Sequence, residues 1–115
     1  MVIDDSATDR QFLVGLLQTM GHEVDATQST QGVLEQIASG QYSAIFLDIV
    51  MPEQDGYKFL RSLRANPATA QQKVIFCSSK KTPLEIDYGL KRAGADRYLT
   101  KPVTTESLKL VLQAI

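Results

Sequence analysis

Ala44-Ile45-Phe46-Leu47-Asp48 decides the fold: four consecutive apolar residues that stop at a carboxylate. A strand with one face in water alternates apolar and polar residues. An unbroken apolar run describes a strand covered on both faces, as at the centre of a parallel sheet. The same pattern recurs downstream in Val74-Ile75-Phe76-Cys77, which ends at Ser78, and Arg97-Tyr98-Leu99 reads as the last strand, followed by Lys101-Pro102. Upstream, Met1-Val2-Ile3 stops at Asp4-Asp5, and Glu23–Thr27 alternates, with Val24 and Ala26 predicted to face inward.

Amphipathic stretches fill the gaps. Over residues 6–20, Phe12, Leu13, Leu16, Leu17 and Met20 fall at helical spacing, and Gly21 ends the helix. Ser29 is expected to cap a second helix carrying Val33, Leu34 and Ile37, closed by Gly40. Asp55 or Gly56 opens a third, with Phe59, Leu60 and Leu63 inward. Thr82-Pro83-Leu84-Glu85 reads as a capping box with proline at the first helical position; that helix carries Ile86, Leu90 and Ala93 up to Gly94. Thr104 or Thr105 caps the last, which carries Leu108, Val111, Leu112 and Ile115. The order βαβαβαβαβα implies an α/β fold: a five-stranded parallel sheet with helices on both faces and right-handed crossovers. The first strand is short against ~5–6 residues in a typical one, so the natural protein is expected to begin a few residues earlier.

Residues 1–115 suit one domain. Twelve basic and 13 acidic residues give a net charge of -1, which provides no electrostatic case for nucleic acid or an anionic membrane. The single cysteine, Cys77, allows no internal disulfide and points to a reducing, cytoplasmic compartment. No apolar run approaches the ~20 residues of a membrane helix.

Ligands of open α/β sheets bind beyond the carboxyl ends of the strands. Those ends carry Asp4 and Asp5, Asp48, Ser78, and Lys101. Three converging carboxylates repel one another, and a hard cation relieves the repulsion. Mg²⁺ suits oxygen ligands and keeps several waters, so Asp5 and Asp48 as direct ligands, with Asp4 through water, would suffice. A carboxylate so screened can attack phosphorus and form an acyl phosphate, with Lys101 and Ser78 holding the phosphoryl oxygens.

Five motifs in order carry a family resemblance: Val2-Ile3-Asp4-Asp5-Ser6; Phe46-Leu47-Asp48-Ile49-Val50-Met51-Pro52 with Asp55-Gly56; Phe76-Cys77-Ser78-Ser79; Ala93-Gly94-Ala95-Asp96; and Tyr98-Leu99-Thr100-Lys101-Pro102. They span nearly the whole chain, which resembles the response-regulator receiver domains of two-component systems, and among them the single-domain chemotaxis and twitching-motility regulators. The resemblance implies the flavodoxin-like strand order 2-1-3-4-5. It implies Asp48 as phosphoacceptor, Asp4 and Asp5 as the acidic pair with Asp5 on Mg²⁺, and Val50 giving its backbone carbonyl to the metal. It further implies Ser78 as switch hydroxyl, Tyr98 as switch aromatic, Lys101 as the phosphate-binding lysine and a cis Lys101–Pro102 bond. The partners it implies are a histidine kinase or phosphotransfer domain as donor. They also include a downstream protein read by the fourth helix, fifth strand and fifth helix; Leu84, Tyr88, Arg97 and Tyr98 are expected to border that face because they fall on or next to these elements.

Other classes fit less well. A flavodoxin-like electron carrier needs a phosphate loop after the first strand, where Asp4-Asp5 would repel a flavin phosphate. A haloacid-dehalogenase-type phosphatase needs an acid two residues past its nucleophile, and Val50 stands there. A pseudo-receiver that only docks proteins is the remaining alternative; its usual mark is loss of the acid pair, acceptor or lysine, and all are present. Cys77 is expected to be inert core, Asp55 a helix cap, and His22 a solvated turn residue.

Overall fold

The computed structural model describes residues 1–52 and 54–115. A five-stranded parallel sheet is built from β1 (Val2–Ile3), β2 (Ala26–Thr27), β3 (Ile45–Leu47), β4 (Val74–Ser78) and β5 (Arg97–Thr100). Their spatial order is 2-1-3-4-5, all neighbours parallel. The helices are α1 (Ala7–Thr19), α2 (Val33–Ser39), α3 (Gly56–Ala65), α4 (Pro83–Asp87) and α5 (Thr105–Gln113). Among the described residues no helix is long and apolar enough to cross a membrane.

The two-residue period of strand side chains explains the unbroken apolar runs. Ile3, Ile45, Leu47, Val74 and Phe76 face one layer with α2 and α3, where Val33, Ile37, Phe59, Leu60 and Leu63 meet them. Val2, Ala44, Phe46, Ile75 and Cys77 face the other, packed on Leu13 and Leu17 of α1 and Leu108 and Val111 of α5. Each fully buried Ile, Leu or Phe contributes roughly 1.5–3 kcal/mol, so both faces of β3 and β4 are held strongly. Asp48 and Ser78 therefore stand at the ends of fully buried strands.

Several expectations need correction. β2 has two residues rather than five because β1 offers only two ladder partners, Val2 to Ala26 and Ile3 to Thr27. Ala26 is exposed at this edge instead of facing inward, while Val24 does pack on the α1 layer. Ser29 does not cap α2. Its hydroxyl accepts from the Gln31 amide in a turn, and the helix starts only after Gly32, whose φ of 73° favours glycine. Phe12 and Ile115, which share the apolar spacing of their helices, lie exposed. A two-residue antiparallel ribbon, Val50–Met51 with Gln54–Asp55, follows β3, an element the sequence reading did not assign. α4 passes into a π-helical turn over Tyr88–Arg92. The other capping assignments hold: Asp55, Thr82 and Thr104 each accept a hydrogen bond from the first turn of their helices, and Thr82 with Glu85 forms the capping box; Ser6, for which no cap was assigned, does the same for α1.

Candidate functional site

Register brings the acids together. Ile3 pairs with Leu47, so Asp4 and Asp48, the next residue on each strand, emerge side by side, and the Asp48 amide donates to the Ile3 carbonyl at 3.0 Å. Asp5 follows at the turn into α1. Each of Asp4, Asp5 and Asp48 has an oxygen within 4.8 Å of the others. On the opposite side the Lys101 amide donates to the Ser78 carbonyl at 2.9 Å, which extends the β4–β5 ladder and draws Lys101 over the same edge. The Lys101–Pro102 bond is cis, as the resemblance implies.

Two carboxylates at such spacing repel by about 3 kcal/mol at an effective dielectric near 20. One ammonium cannot offset three of them. Lys101 Nζ donates to Asp4 Oδ2 at 2.8 Å and Asp9 Oδ2 at 2.9 Å, and stands 3.7 Å from Asp48 Oδ1. Asp4 Oδ1 also accepts from the Ser6 amide at 2.9 Å, and Arg10 donates to the Asp4 carbonyl at 2.7 Å. Asp48 has the weaker cationic contact, and its carboxyl is pushed up to about 7. Burial is the main cause; Lys101 works against it, Asp4 and Asp5 add to it, and the Ile49 backbone lowers it. Burial also works against the Lys101 charge, but its bonds to Asp4 and Asp9 outweigh that and hold the ammonium well above the ordinary lysine value. Cys77, in the core beneath, is pushed up to about 12 by burial and behaves as inert packing.

Asp5, Asp9, Asp48, Val50, Ser78 and Lys101 line one open cleft, and buried Asp4 is held beside it by Lys101. Val50 is 59% exposed at the cleft mouth. Ser78 is almost fully buried and its hydroxyl accepts from the Lys80 amide at 3.1 Å. Tyr98 does not line the cleft. It lies behind Ser78, under α4, with its hydroxyl donating to the Lys80 carbonyl at 2.5 Å and its ring edge-on to Phe76. Phe76 meets Tyr57, and Tyr57 meets Tyr88 on the π turn. His22 lies exposed and outside the cleft.

Three residues of this neighbourhood escaped the sequence reading, and a fourth, Gly56, was read only as a helix start. Asp9 holds Lys101, and Arg10 holds the Asp4 backbone. Gly56 lets α3 start against the acceptor strand: a Cβ there would stand 2.4 Å from the Asp48 carbonyl. Gly89 makes room for Tyr98, since a Cβ would lie 3.0 Å from its Cε2. Gly89 was findable from being a mid-helix glycine with no capping duty, whereas Asp9 carries no local signal because its partner Lys101 lies 92 residues on.

Residues 1–113 match the family described as response regulator receiver domain. Protein PilG of Pseudomonas aeruginosa is 37% identical over 99% of this chain and 84% of its own length. The crystal structure of the chemotaxis response regulator CheY4 of Vibrio cholerae superposes with a TM-score of 0.85 at 27% identity, covering 97% of this chain and 92% of that one. The gliding motility regulatory protein of Myxococcus xanthus is 35% identical over 88% of this chain, which spans only 13% of that protein's length. Fold, strand-end chemistry and sequence kinship agree, and the chain belongs to the response regulator receiver domains.

Proposed function

We propose that this receiver takes a phosphoryl group onto Asp48 and thereby switches a partner-binding face. The observation that carries the reading is the setting of Asp48. It is buried at a strand end, is crowded by Asp4 and Asp5, and has Lys101 poised at 3.7 Å. A carboxylate so placed is a poor structural cap and a well-aimed nucleophile. Its oxygen attacks the phosphorus of a phosphohistidine from a histidine kinase or phosphotransfer domain; the P–N bond breaks and the imidazole leaves with the electron pair. Lys101, already ammonium, supplies charge to the phosphoryl oxygens.

The residues fit a divalent cation. Three carboxylate oxygens lie within 4.8 Å, and Asp5 has no cationic partner among the described residues. Asp4, Asp5 and Asp48 would hold Mg²⁺ with the Val50 carbonyl. When bound, Mg²⁺ supplies positive charge that favours ionised Asp48 and screens the donor phosphate.

Ser78 and Tyr98 are the switch residues of this reading. The Ser78 hydroxyl turns toward the phosphoryl group and releases the Lys80 amide. The same Lys80 backbone anchors the Tyr98 hydroxyl, so the two changes are mechanically joined. The face they bias comprises α4, β5 and α5, where Leu84 and Tyr88 stand exposed. The domain acts across residues 1–115 as one cytoplasmic signalling unit whose chemistry is confined to its own aspartyl phosphate.

Incubation with acetyl phosphate and Mg²⁺, followed by intact mass, tests this. One added phosphoryl group, lost in Asp48→Asn, is expected. No addition to the wild type would favour the pseudo-receiver alternative.

A further inference from the structure

Lys101 is held by two carboxylates, and neither is the acceptor. Its Nζ has three donors. One goes to Asp4 at 2.8 Å and one to Asp9 at 2.9 Å, while Asp48 waits at 3.7 Å, beyond hydrogen-bonding reach. Asp4 is fixed: it is 4% exposed, accepts from the Ser6 amide and shares the three-carboxylate group. Asp9 differs on each count. Its side chain is 47% exposed, it lies outside that group, and Lys101 is the only side chain it bonds among the described residues. The start of α1 aims it, because its own amide is the donor to the Ser6 cap at 3.3 Å.

We infer that Asp9 is a positioning residue that anchors Lys101 in the resting domain and competes with the phosphoryl group for it. The inference rests on the reading of Asp48 as phosphoacceptor. As a phosphoryl group reaches Asp48, Lys101 must turn a donor toward it. Asp9 is the partner given up at least cost, since a released exposed carboxylate is rehydrated. Asp9 thus stabilises the resting state against both the transition state and the phosphorylated state. With acetyl phosphate the step balances simply: an Asp48 oxygen bonds phosphorus, the P–O bond to acetate breaks, and acetate leaves with the electron pair. No proton or electron is needed from elsewhere.

The sign of the effect separates this role from mere support of the site. Removing Asp9 accelerates phosphorylation, because only the starting state loses a contact. It leaves the decay of phospho-Asp48 unchanged, because Lys101 is on the phosphoryl group both before and during hydrolysis. An exposed ion pair of this kind corresponds to about a two- to fivefold effect.

The test compares wild type, Asp9→Asn and Asp9→Glu with acetyl phosphate at saturating Mg²⁺, measuring uptake and decay by intact mass. Asp9→Asn is expected to phosphorylate about two to five times faster with an unchanged decay constant. Asp9→Glu is expected to restore the wild-type rate. Added salt is expected to speed the wild type toward the Asn variant, as screening weakens the pair. An Asp9→Asn rate equal to or below wild type, or a decay constant that changes in parallel, overturns the inference while leaving the acceptor reading intact. A wild type that takes up no phosphoryl group overturns that reading, and the inference falls with it.

Discussion

Replacing Asp48 by Asn should stabilise the metal-free protein, and by an amount that grows with pH. An aspartate carboxyl ordinarily titrates near 3.8, and in the folded domain Asp48 is pushed up to about 7, chiefly by burial. Between those values the folded protein holds a proton that the unfolded chain has released. The native state then binds more protons, so stability falls as pH rises through the window, and the full penalty is present above 7. Each tenfold in proton affinity is worth about 1.4 kcal/mol, which sets a ceiling near 4 kcal/mol. The carboxylate lies at the floor of an open cleft, and water reaching it reduces the penalty to roughly 1–3 kcal/mol. Asparagine keeps the shape and cannot carry the charge; Lys101 retains Asp4 and Asp9. Urea titrations in EDTA at pH 4.5 and pH 8 measure the difference. The Asn variant is expected to be close to wild type at pH 4.5 and about 1–3 kcal/mol more stable at pH 8. Added Mg²⁺ is expected to close that gap by stabilising the wild type alone. A variant less stable than wild type at pH 8, or a gap independent of pH, would refute the reasoning.

Other perturbations reach the rest of the account. Lys101→Ala removes the one cation within 4 Å of Asp48 among the described residues; phosphoryl uptake from acetyl phosphate should slow by about 10²–10³ while the fold persists by circular dichroism. Val50, apolar and exposed at the cleft mouth, cannot orient a hydrolytic water, so Val50→Asn should shorten the lifetime of the phosphorylated form; an unchanged decay would count against Val50 as a lifetime determinant. Gly89→Ala places a methyl 3.0 Å from the Tyr98 ring and 3.2 Å from Phe76. It should cost about 1–3 kcal/mol in urea titrations and shift the Tyr98 ring resonances, and a neutral variant with unmoved resonances would show that α4 yields instead.

Much of this was legible in the sequence because burial and strand-end chemistry are local signals. Residues 44–48 give a doubly covered strand and its terminal acid in one reading, and residues 74–78 repeat it. Capping chemistry located α4 to the residue because Thr82, Pro83 and Glu85 act on one another within a single turn. What escaped depends on partners far along the chain. Glu23–Thr27 has strand character throughout, yet its ladder is limited by the two residues that β1 supplies. Ser29 is a sound cap by residue type, but Gly32 bends the chain first. The π turn at Tyr88–Arg92 brings Gly89 against Tyr98, a fit that no periodicity announces. Asp9 meets Lys101 across 92 residues, so its part in the site emerged only once α1 and β5 were placed.

The most direct measurement of the central claim locates the phosphoryl group itself. Borohydride reduces an acyl phosphate on aspartate to homoserine, which survives digestion and is read by peptide mass spectrometry. After acetyl phosphate and Mg²⁺, reduction is predicted to leave homoserine at position 48 and at no other carboxylate. Homoserine at position 4, 5 or 9, or an Asp48 left unmodified in a phosphorylated protein, would contradict the account.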